Sequence, residues 1–170
     1  MIITRHHNKI GKAHIMRSFY ETRPKEDLNR TFIDFLSEKD RETLFANATR
    51  KQYSDGEKIL GQGDKNTSVY LIDKGEVSIV SRHMDFELEV QRLHVNDIIG
   101  EMSFVDTEPV STDVVAVGDV EMSIIDRETL ERILRTDPLF YGRFFHAISK
   151  TLALRLRANN EKVSQFQTDF

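Results

Sequence analysis

Hydrophobic residues change their spacing twice along the chain. Up to Arg50 and again beyond Asp126 they recur at intervals of three and four, the period of a helix; in between they alternate with polar residues, the period of a strand. In "TFIDFLSEKDRETLFANA", Ser37 followed by Asp40 reads as a helix N-cap, with Leu44 and Phe45 on the buried side. The middle breaks into short strands at turn signals. "KQYSDGEKIL" reads as two strands around Asp55-Gly56, and "GQGDKN" as a turn. "SVYLIDKGEVSIVS" reads as two segments joined in a hairpin at Asp73-Lys74-Gly75. "FELEVQRL" alternates with Phe86, Leu88 and Val90 on one face, and "TDVVAVGDVEMSIID" gives a last pair turning at Gly118-Asp119. Many short strands with regular turns predict a mostly β fold with flanking helices, a jelly-roll β-barrel.

Helical spacing returns in "DRETLERILRTDP", through Leu130, Ile133 and Leu134. Pro138 opens a final long helix whose apolar positions Phe145, Ile148, Leu152, Leu156, Val163 and Phe166 step by three, four or seven. Asn159 falls on the same stripe. A stripe this long exceeds what docking on one small barrel needs and predicts a coiled-coil homodimer seam, with the asparagine fixing register. The competing reading is an amphipathic helix packed on its own barrel. Three segments follow: a basic N-terminal arm over 1–30, where Ile10, Ile15, Met16, Phe19 and Tyr20 fit one face of a short helix; a barrel domain over 31–136; and the long helix over 137–170.

Charge separates the arm from the body. Residues 1–30 carry seven Lys/Arg against three Asp/Glu, leaving 17 against 25 for the rest. An acidic body is a poor partner for nucleic-acid phosphates. The basic arm suits an acidic partner, RNA or a lipid surface, or is simply a solvated arm. No apolar run approaches the length of a membrane span, and the basic N-terminal stretch lacks the apolar core of a secretory signal. With no cysteine there is no disulfide or thiolate metal site, which fits a reducing, cytoplasmic setting. His83 and His94 are isolated, so a cupin-type metal site fails, and no Gly-x-Ser-x-Gly elbow or Walker loop occurs. No catalytic residue, metal or cofactor is expected.

The candidate chemistry lies in "IIGEMSFVDTEPVSTDVVA", residues 98–116. Gly100 lets backbone come close, and the Glu101 carboxylate can accept a hydrogen bond from a ligand hydroxyl. Met102 and Ser103 begin a helical turn whose free N–H groups favour an anion. Beyond Pro109 the chain re-enters a strand at Val110, Ser111 and Thr112.

With "YSDGEKILGQGDKNTSVYLIDKGEVSIV" before it and "LALRLRANNEKV" after it, this stretch resembles the cyclic-nucleotide-binding domain. That domain is shared by the catabolite activator family, protein kinase regulatory subunits and cyclic-nucleotide-gated channels. The resemblance runs from about Phe32 to Phe166. It implies a non-enzymatic regulatory domain that binds cAMP or cGMP as ligand and signals to a protein partner. One departure matters. Where the family reads proline then arginine, this chain reads Pro109 then Val110. A charge-assisted hydrogen bond is worth about 1.5–3 kcal/mol, so its loss weakens phosphate binding about ten- to a hundredfold. The same alignment puts Arg155 where bacterial members carry an arginine that reaches the cassette, to pair with Glu101 or approach a phosphate; an exposed helix arginine is the alternative. Asn159 and Asn160 stand where those members contact the base. Alternatives to a weak cAMP or cGMP site are another nucleotide such as cyclic di-GMP, or a dimerising or docking module that needs no nucleotide. The helix-turn-helix that follows this helix in bacterial transcription factors is not present, so direct DNA binding is not expected.

Overall fold

The computed structural model describes residues 30–83 and 86–166, with side chains throughout except at 83, 86 and 162–166. The apolar face expected in the arm, and the side chains of Val163 and Phe166, lie outside it. A 3₁₀ turn, Phe32–Phe35, leads into helix α1, Glu38–Asn47. Ser37 caps α1 as its sequence predicts: its Oγ accepts from the Asp40 amide at 3.2 Å.

Six strands follow: β1 (Thr49–Tyr53), β2 (Lys58–Leu60), β3 (Ser68–His83), β4 (Phe86–Leu93), β5 (Ile98–Ile99) and β6 (Asp113–Asp126). A short helix, α2 (Glu101–Asp106), lies between β5 and β6, and α3 (Arg127–Thr136) and α4 (Phe140–Phe166) close the chain. The strands pair antiparallel in the order β1-β6-β3-β4, with β2 on β6 and β5 on β3. β6 passes directly into α3 because Asp126 both ends the strand and caps the helix, its carboxylate accepting from Thr129 N at 2.7 Å.

Two expected turns are bends instead. β3 runs unbroken through Asp73-Lys74-Gly75 and β6 through Gly118-Asp119, and the two pair on both sides of the irregularity. Gly75, at φ 83, faces the β6 backbone so closely that a Cβ there would lie 2.5 Å from Asp119 O. Sequence alone reads such glycines as chain reversals; here both lie at the register shift where β3 and β6 bend together as one ribbon. A further irregularity between Ile79 and Val80 turns β4. Leu93 is thereby buried, while Leu88 and Val90, which share one face of the alternation, are 52% and 45% exposed.

Alternation along the strands feeds two cores. Val69, Leu71, Ile98 and Ile125 join Phe32, Leu44, Leu130, Ile133, Phe140, Phe144 and Ile148 under the helices. Their neighbours Ile72, Ile99 and Met122 join Tyr53, Val77, Val110, Val114 and Val120 inside the sheet. Helix α4 belongs to the first core. Phe140, Phe144, Ala147, Ile148 and Thr151 are its buried face, whereas Leu156 is 62% exposed. The first half of the long stripe therefore packs on the chain's own barrel, while Leu156 and Asn159 are exposed.

Candidate functional site

Between the mouth of the barrel and α4 lies a cavity of about 550 Å³. Nine of the ten residues singled out in the sequence line it: Gly100, Glu101, Met102, Ser103, Val110, Ser111, Thr112, Arg155 and Asn159. Asn160 does not; it is exposed on α4. Arg92 and His94 are also outside, their side chains engaged with Glu76.

The cassette is braced at both ends by the loop before β3. Gly63 N donates to Val110 O at 2.8 Å, and Val110 N donates to Asp64 O at 2.9 Å. Asn66 Nδ2 donates to Gly100 O at 3.0 Å. The polar run "GQGDKN" is thus a clasp as well as a turn. Gly100 sits at φ 76, and a Cβ there would lie 2.7 Å from Asn66 Nδ2 and 2.8 Å from Ser68 O. Its glycine is demanded by the loop and strand packed against it, Asn66 and Ser68, apart from any contact with a ligand.

Glu101, the first residue of α2, is the buried charge of the site, its side chain 6% exposed. Arg155 from α4 donates to Glu101 Oε1 at 2.7 Å and to Ile98 O at 2.7 Å, and Asp97 Oδ1 lies 3.7 Å away. Of the two roles open to Arg155, pairing with Glu101 is the one its geometry takes. Glu101 Oε2 takes no hydrogen bond among the described residues, which leaves it an acceptor for a ligand donor.

Phe104 fastens α2 to the helical layer. It is 1% exposed, stacks on Phe145 with ring centroids 6.0 Å apart and meets Phe144 edge-on at 6.2 Å. Arg127, at the start of α3, donates to Phe104 O at 2.8 Å and lies over its ring. Arg127 carries no sequence signal, since an arginine opening a helix is ordinary.

Val110 is buried at 7% exposure, its side chain part of the barrel core. Three residues on, at the first position of β6, Asp113 turns away from the cavity that Thr112 and Val114 line. It is 1% exposed and accepts from Gln62 N at 2.6 Å. Its Oδ2 sits 3.0 Å from Lys58 Nζ and 2.6 Å from Arg82 Nε, contacts of charge without hydrogen-bond alignment. Burial pushes the Asp113 carboxyl up, but the Gln62 amide and the two cations outweigh it and hold it below its ordinary value. Among the described residues no group of three or more His, Asp or Glu is poised for a metal, and no helix is long and apolar enough to cross a membrane.

The family model for the cyclic nucleotide-binding domain matches residues 50–137, more than half the chain. The chain belongs to this family. It is a family of regulatory domains, and its barrel and cassette are the parts described above. Among curated proteins, the chain is 34% identical over 85 residues to a cAMP-dependent protein kinase type II regulatory subunit from Drosophila melanogaster, covering 49% of this chain and 22% of that one. It is 33% identical over 109 residues to the cyclic AMP receptor protein of Thermus thermophilus, covering 64% of this chain and 49% of that one. The chain thus spans less than half the length of either relative. Among solved structures, the Thermus thermophilus catabolite activator protein superposes with a TM-score of 0.65 at 27% identity, over 78% of this chain and 61% of that one. The jelly-roll expectation is met.

Proposed function

We propose that this cyclic-nucleotide-binding domain is a non-enzymatic regulatory module whose ligand enters the cavity and is read out through α4. One observation carries the reading: the cavity's buried carboxylate, Glu101, is bonded to Arg155 of α4 at 2.7 Å. A ligand hydroxyl that binds the free Glu101 Oε2 loads the same carboxylate that holds Arg155 through Oε1, and a shift at Phe104 is transmitted to Phe144 and Phe145. Both routes end on the same helix, whose stretch from Leu156 onward forms a homodimer seam or meets a protein partner in the cytoplasm. A cyclic nucleotide, cAMP or cGMP, fits the class of ligand. Ser111 and Thr112 offer it hydroxyl donors, and it binds weakly because Val110 offers no charge.

The test is amide hydrogen exchange with and without saturating cAMP or cGMP. Ligand should slow exchange over 98–112 and alter it over 152–159. No change in either segment with either nucleotide would sink the reading.

A further inference from the structure

Resting on that reading of the cavity, we infer that the site is built for an uncharged ligand, of the nucleoside class, and that Val110 sets this preference. Three observations converge on it.

The first is the wall itself. Val110 is tied by two backbone hydrogen bonds to Gly63 and Asp64, so its side chain is fixed where it stands, 7% exposed and facing apolar neighbours such as Val114. A phosphate brought against that wall loses its water and gains no ion partner.

The second is charge. The ionised residues lining the cavity are Glu101, Asp106 and Arg155, two negative and one positive. Arg155 is already committed: it bonds Glu101 and Ile98 O, each at 2.7 Å, and has Asp97 nearby. Turning it toward a phosphate would strand the Glu101 carboxylate at 6% exposure without its counter-ion. An uncharged ligand asks for no such exchange and uses the free Glu101 Oε2 through a hydroxyl.

The third lies behind β6. Lys58 and Arg82 converge on Asp113, 3.0 and 2.6 Å from its Oδ2. That carboxylate and Glu87, whose Oε1 lies 3.0 Å from Arg82 Nε, offset the two cations, and none of the four residues lines the cavity, so neither cation is left to favour an anion there. Val110 and Asp113 thus act in the same direction.

Calorimetry on the full chain, stripped of co-purified small molecules, tests this with adenosine, guanosine, cAMP and cGMP. The expected result is that a nucleoside binds at least as tightly as its own cyclic nucleotide. In Val110→Arg the cyclic nucleotide should then gain about tenfold or more while the nucleoside gains nothing. Cyclic nucleotides binding the unaltered chain tenfold tighter than the nucleosides would overturn this inference and leave the regulatory reading standing. Silence from all four compounds overturns both. The ranking in the unaltered chain decides the matter even if Val110→Arg folds poorly.

Discussion

Arg155 and Glu101 lie 54 positions apart in sequence and 2.7 Å apart in space, and they join the ligand cavity to the last helix. Both side chains are largely shielded from water, at 20% and 6% exposure, so the contact is stronger than a surface ion pair. Neither residue does its structural work without the other. Arg155→Met and Glu101→Gln should each cost about 1.5–3 kcal/mol in urea unfolding, and the double variant should cost less than the sum by about 1 kcal/mol or more. Strict additivity would show that the two do not communicate.

Glu101→Gln also separates binding from folding. The amide keeps the shape and one acceptor but loses the charge that a ligand hydroxyl bonds most strongly. Its affinity for whichever nucleoside or cyclic nucleotide binds best should fall about tenfold, with the circular dichroism spectrum unchanged. An unaltered affinity would place the ligand elsewhere.

Leu156 tests the seam. It is 62% exposed, so a charge there costs the monomer fold little. Leu156→Glu should convert a dimer to monomers in sedimentation equilibrium while leaving the melting temperature of the barrel within about a degree or two. Leu152 would be a poorer choice, since it packs partly against the helical core. A dimer that survives Leu156→Glu is held by another surface.

Gly100 shows what the sequence made legible and what it did not. The cassette stands out because its glycine, its carboxylate and its re-entry into a strand fall close together, and local order of that kind survives in a linear string. The reason for Gly100 does not, because Asn66 and Ser68 approach it only once β3 and the preceding loop have folded against it. The same holds for Gly75 and Gly118, where the turn signal is real but the pairing of β3 with β6 on both sides converts two reversals into one bend. Asp113 reads as a strand residue near a pocket; its role as the meeting point of Lys58 and Arg82 needs three elements in place. Gly100→Ala should therefore lower stability by more than about 1 kcal/mol in the absence of any ligand. Gly118→Ala, at φ 69 with nothing within 4 Å of the added Cβ, should lose only about 1 kcal/mol from its left-handed backbone. Equal losses would show that the crowding at Gly100 is relieved at no cost.

Asp40 and Arg143 set the acid limit of the fold. Asp40 is 2% exposed on α1, and Arg143 of α4 donates to both its oxygens, with Nη2 2.8 Å from Oδ1, while Nη2 also reaches Asp137 Oδ2 at 2.6 Å. Burial pushes the Asp40 carboxyl up, but hydrogen bonds from Arg143 and Ser37 outweigh it and hold it below the ordinary value of 3.8. A carboxyl lowered in the folded state binds fewer protons there than in the unfolded chain. Its contribution is therefore complete above an unfolded value of about 4 and is lost as pH falls through the folded one. Asp113 and Asp126 are shifted the same way and add to the slope. Unfolding free energy should decline from about pH 5 downward. Asp40→Asn should be weaker by about 1–2 kcal/mol at pH 7, and the gap should narrow as the pH falls below about 4. A gap that stays constant across that range would mean that the Asp40 charge contributes nothing and that α1 is held to α4 by its apolar contacts alone.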